Sequence, residues 1–133
     1  MKNINFKLIK NNKSYIDKKN IKCIENDKLI FIIDKDKYSY YNDIFERKTE
    51  NELIIFDLKE NVCKVYINGY NDYFPVNINV IEHTKNDKLI YIKYKIETEE
   101  NVINEIKIEY NKKYLTIILI MIKLYVIFNT LMY

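Results

Sequence analysis

Alanine, glutamine and tryptophan are absent from this chain of 133 residues, which holds one glycine, one proline, one histidine, one arginine and two cysteines. Each scarcity removes something. Without alanine, the best helix former, a soluble helix loses its most favourable residue, and the balance moves towards strands. A phosphate-cradling loop needs several glycines close together, and Gly69 stands alone. Cys23 and Cys63 are not in a CxxC spacing and His83 has no second histidine, so a zinc site lacks its ligands. Neither a metal nor a cofactor is expected.

Nucleophilic catalysis has as little to work with. A serine or cysteine nucleophile needs a base within hydrogen-bond reach. Ser14 and Ser39 lie in no elbow motif, and His83 reads as a solvated residue of the polar turn before Asn86 and Asp87. Glu97, Glu99 and Glu100 could supply acid and base, yet they cluster in a hairpin turn, where charge means solvent. No catalytic residues are assigned and no enzyme is expected. Both cysteines sit in apolar alternating stretches and read as buried, reduced core thiols.

What is present is lopsided. Isoleucine, asparagine, lysine and tyrosine number 25, 18, 21 and 13, together 77 of 133 residues. These are the residues of A/T-rich codons, so their abundance alone carries little functional information. Isoleucine and tyrosine nonetheless suit a pleated surface. The length fits one domain, with a body of about 110 residues that can bury one core.

Alternation then marks the strands. Ile4, Phe6 and Leu8 alternate with Asn5 and Lys7, the period-2 signature of a half-buried strand. The signature or a short apolar run recurs at Ile21 to Cys23, Leu29 to Ile33, Tyr38 to Tyr40, Leu53 to Leu58, Cys63 to Ile67 and Val76 to Val80. It is clearest at Ile90 to Ile96 and Ile106 to Tyr110, joined by Thr98 to Asn101 into a hairpin whose lysines can face glutamates across the strands. About nine short strands at roughly 8 to 12 residue spacing, with no helical crossover, predict an all-β antiparallel barrel or sandwich. A barrel removes the edges and is preferred. Asn26 to Ile32 recurs almost unchanged as Asn86 to Ile92; since the flanks disagree, these read as two turn-then-strand units rather than a duplication.

The strand wording also resembles a known family. Lys37 to Asp43 (KYSYYND), Val62 to Phe74 (VCKVYINGYNDYF) and Leu89 to Tyr110 (LIYIKYKIETEENVINEIKIEY) are similar, in order, to three strand regions of the YwiB-like family. That is a group of uncharacterised small bacterial proteins with a calycin-like, lipocalin-type β-barrel. The resemblance implies such a barrel for residues 1–110 and brings no catalytic or binding residues with it. This chain departs from the pattern in keeping Gly69 without the preceding arginine, in a shortened stretch after Phe74, and in its apolar continuation past Tyr110. A shortened, leaky barrel is the expectation.

Two surfaces invite binding. Tyr38, Tyr40, Tyr66, Tyr73 and Phe74 could line a barrel mouth, apolar with hydroxyl handles, for a small apolar or amphipathic ligand; packed core is the competing reading. Residues 1–22 carry seven lysines and one aspartate. That basic arm could contact phosphates and bind nucleic acid weakly, but a solvated edge strand whose lysines discourage aggregation fits better. A protein partner or a homo-oligomer remains open.

The segment 111–133 forms a second unit. Tyr114 to Tyr133 hold a single charge, Lys123, whereas residues 1–110 carry 19 basic and 19 acidic side chains. Twenty helical residues span about 30 Å, the thickness of a bilayer's hydrocarbon core. Lys112 and Lys113 would stand at the cytoplasmic interface. The tail reads in three ways: a membrane anchor, helical if inserted; a strand or helix packed on the barrel; or an unselected extension. No apolar run near the N-terminus is long enough for a signal peptide, and the body is expected to be cytoplasmic.

Overall fold

The computed structural model describes residues 2–111 and 113–131, and the side chains of 113–117 lie outside that description. Ten strands precede one helix: β1 (Lys2–Lys10), β2 (Lys13–Glu25), β3 (Leu29–Ile33), β4 (Asp36–Tyr41), β5 (Ile44–Lys48), β6 (Glu52–Asp57), β7 (Val62–Ile67), β8 (Tyr73–Lys85), β9 (Leu89–Ile96), β10 (Asn104–Tyr110) and α1 (Lys113–Leu131). Every pairing is antiparallel, and β1 meets both β2 and β10, so the sheet closes into a barrel.

A ten-stranded meander with one glycine needs other residues at its left-handed turns, and asparagine and aspartate supply them. Asn11 and Asn12 between β1 and β2, and Asn42 and Asp43 between β4 and β5, all have positive φ, from 45° to 65°. Two such residues in a two-residue loop make the turn whose twist matches antiparallel strands. Short polar side chains tolerate that conformation by bonding locally. Asp34, Asn61 and Gly69 supply the same geometry at three more connections. Elsewhere side chains close the turn: Asn86 Oδ1 accepts from the backbone N–H groups of Lys88 (2.8 Å) and Leu89 (3.0 Å). The two similar segments noted in the sequence are each a bend followed by a strand, β3 and β9.

The two 13-residue strands set the barrel's shape. β2 pairs with β1 along its length but with β3 only through Cys23–Glu25. β8 pairs with β7 through Tyr73–Asn77 and with β9 through Ile78–Lys85. The barrel is thus two five-stranded halves, β8-β9-β10-β1-β2 and β3 to β7, sharing those two corners. Between them lies a solid core. Phe6 from the first half meets Tyr38, Phe31 and Phe45 of the second at ring-centroid distances of 4.8, 5.0 and 6.4 Å. Ile4, Ile90, Ile92, Ile106 and Ile108 pack around them without solvent exposure or nearly so. The middle of this barrel is filled by side chains.

Several expectations change here. Ten strands replace nine: β5 was missed because three of its five residues, Glu46, Arg47 and Lys48, are charged, and β2 reaches back to Lys13 through a stretch too polar to alternate. The shortened barrel closes fully. In the last hairpin Lys93 does face Glu105 across the strands, whereas Lys107 faces Tyr91. The basic arm is no simple edge: β1 is enclosed between β2 and β10, and within the arm it is β2 before Cys23 that lacks a second neighbour.

Candidate functional site

The one histidine sits inside the barrel's end, in β8, rather than in a solvated turn. A bulge between Val80 and Glu82 inserts an extra residue, so the inward set runs Ile78, Val80, then His83, and Ile81 is turned outward, 46% exposed. One extra residue flips every later side chain to the other face. His83 thereby reaches across to β4, and Tyr40 Oη lies 2.7 Å from its Nε2.

Tyr40 is 3% exposed, and burial, with the Asp43 carboxylate second, pushes its ionisation up to about 12, so the phenol keeps its proton. Which of the two groups donates follows the tautomer of the imidazole. Nδ1 faces Asp43 Oδ1 at 3.8 Å, across a gap too long for a hydrogen bond. Asp43 owes its position to the left-handed Asn42–Asp43 turn. Tyr110, at the same end, has a buried hydroxyl without a hydrogen-bond partner among the described residues. Burial first, then Glu25, raise its ionisation, although the two side chains fall outside hydrogen-bond geometry.

Beside Tyr40 a cleft of about 370 Å³ opens to solvent, lined by Glu25, Asp27, Tyr40, Tyr41, Asp43 and Lys85. It is polar and rich in carboxylates. Lys28 Nζ already covers the Tyr41 ring at 4.4 Å. Among the described residues no group of three His, Cys, Asp or Glu is placed to hold a metal ion.

The five aromatics singled out from the sequence do not gather in one pocket. Tyr38 is 1% exposed and stacks on Phe31 at 5.2 Å, a core residue. Tyr40 lines the cleft. Tyr66 and Tyr73 are cross-strand partners on β7 and β8, with rings 5.4 Å apart and each more than a third exposed. Phe74, half exposed, leans on Tyr70 at 5.6 Å. The cysteines are free and buried, and burial pushes the Cys63 thiol up to about 11. Glu97 and Glu100 border a wider surface groove of about 720 Å³ that contains no histidine or cysteine.

The helix is the other notable element. Among the described residues α1 packs against no strand of the barrel. From Ile118 to Leu131 its large apolar side chains are exposed on every side, among them Leu119, Met121, Tyr125 and Phe128 at 54 to 70%. Lys123 is their only charge. Among the described residues no helix is long and apolar enough to cross a membrane. The anchor read from the sequence runs over 114–133, of which residues 132 and 133 and the side chains of 114–117 lie outside the described residues.

Compared with family models, with curated proteins and with solved structures, the chain gives no match.

Proposed function

We propose that this chain is a non-catalytic binding module, a calycin-like barrel of the YwiB-like type, held at a membrane by its C-terminal segment and facing the cytoplasm. The observation that carries this reading is α1 itself, apolar all round from Ile118 to Leu131 and, among the described residues, without a contact to the barrel. A helix with no polar face is stable only when something apolar surrounds it. It is unsuited to lying in the membrane surface, which needs one strongly polar side. The whole segment 114–133 spans about 30 Å if helical throughout. Its nine isoleucines and leucines at roughly −0.3 to −0.6 kcal/mol each about offset the roughly 2.5 to 3.5 kcal/mol that Lys123 costs near the midplane.

Two residues separate Tyr110, whose N–H bonds Lys88 O at the cleft end of the barrel, from the start of α1. That is about 10 Å of chain. A membrane holding the helix would therefore lie next to the Tyr40–His83 cleft. The experiment compares the full chain with a chain ending at Asn111 in carbonate-washed membrane fractions. The full chain is expected in the pellet and the shortened one in the supernatant with an unchanged β-type circular dichroism spectrum. A full chain that remains soluble and monomeric would overturn the reading.

A second reading, binding of a small ligand, draws on the same cleft rather than on the packed interior. Its mark would be a ligand whose affinity falls with Tyr40→Phe, a change that removes one hydroxyl and little volume.

A further inference from the structure

We infer that the first part of β2, from Lys13 to Lys19, is a docking edge for an extended acidic strand of a partner protein, added to the barrel by main-chain hydrogen bonds. Like each half of β8 at the other corner, this stretch has one neighbour: it pairs with β1, while β3 joins β2 only from Cys23 onward. Its outer row of N–H and C=O groups spans about 23 Å, broken by a bulge at Tyr15, and its longer part from Ile16 to Lys19 is a template for another strand.

The opening has a definite cause. Residues 19 and 20 oppose Asn5 alone, and Asn20 has φ 58°, so β2 bulges there and swings away from β3. Asn20 is pinned in that shape, its N–H bonding Asn5 Oδ1 (3.0 Å) and its own Oδ1 accepting from Asn111 Nδ2 (2.7 Å). Beyond the bulge a cleft of about 460 Å³ runs along Ser14 to Lys18. Its far wall is Ile33, Asp34, Tyr38 and the Asp36–Arg47 ion pair, 2.9 Å apart, which neutralises its own charge.

Charge and pattern choose the occupant. Lys13, Lys18 and Lys19 are exposed and outnumber Asp17 and, across the cleft, Asp34, so another copy of this edge is repelled and an acidic strand attracted. Ile16, packed against the core, and Ile33 offer apolar surface on the inner side. A strand alternating acidic and β-branched residues would satisfy both faces.

The test uses the full chain and a labelled twelve-residue peptide alternating glutamate and valine, followed by fluorescence anisotropy and amide hydrogen exchange. Binding with new protection confined to residues 13–19, weakened about 10-fold by K13E/K19E and by raising salt, is the expected result. The same peptide N-methylated at every residue leaves the protein untouched and is expected to lose binding, since it cannot donate along the edge in either strand direction. Equal binding of the methylated peptide, protection elsewhere in the barrel, or displacement of the peptide by an oligothymidylate of equal charge would each overturn the inference.

Discussion

Truncating Phe6 to alanine should cost about 4 kcal/mol, and the reason lies in how the two halves of the barrel meet. Phe6 is fully buried and is the first half's contribution to an aromatic group whose other members, Phe31, Tyr38 and Phe45, belong to the second half. Removing a buried phenylalanine side chain typically costs 3 to 5 kcal/mol through lost transfer energy and the cavity left behind. Each lost ring–ring contact adds to simple area burial, by about 0.5 to 1.5 kcal/mol in other proteins, which places Phe6 in the upper half of that range. For a body of about 110 residues this corresponds to a fall in Tm of roughly 15 to 20 °C. In urea the midpoint should drop while the m-value stays constant, because the unfolded surface is unchanged. Phe74→Ala, at a ring 47% exposed, should cost less than about 1 kcal/mol. If Phe6→Ala cost as little, the middle of the barrel would not be filled at Phe6, and an interior ligand pocket lined by Tyr38 would return as the better account.

Two further outcomes follow from the Tyr40–His83 contact. The hydrogen bond is partly buried and should contribute about 1 kcal/mol, so Tyr40→Phe and His83→Gln should be non-additive by about that amount in a double-mutant cycle monitored by urea unfolding; additive costs would remove the bond from the account. At alkaline pH the folded barrel holds the Tyr40 proton to about 12, while the unfolded chain releases it near the ordinary 10. Its stabilising effect is complete below pH 10 and is lost as pH rises towards 12. Phenolate absorbance at 295 nm from this residue, isolated as the difference between wild type and Tyr40→Phe, should appear in the folded protein only towards pH 12; its appearance near pH 10 with the β-type spectrum intact would refute the buried phenol.

Much of the barrel is legible in the alternation because one face of each strand is buried and the other wet. β1, β9 and β10 read directly, their inward residues Ile4, Phe6, Leu8, Ile90, Ile92, Ile106 and Ile108 all buried. β5 did not, since its short charged sequence buries only Phe45, and pairing with β4 and β6 rather than its own composition holds it in the sheet. The candidate site was hidden for a different reason. Strict alternation from Val76 through Val80 puts Glu82 inward and His83 outward; the bulge reverses them, and no residue type announces a bulge here. Nor could periodicity separate Tyr38 in the core from Tyr40 at the cleft, because both face inward and differ only in depth along the barrel.

The sequence by itself determined an antiparallel all-β body and an apolar C-terminal segment, because side-chain alternation and the absence of charge are local properties of consecutive residues. Closure of the barrel, the meeting of Tyr40 with His83 across 43 positions, the free edge of β2 and the isolation of α1 were decided only by tertiary structure. They depend on register and on single bulges, where one added residue at Asn20 or Ile81 redirects a whole strand, and that choice is made by the packing of the two halves against each other rather than by any segment alone.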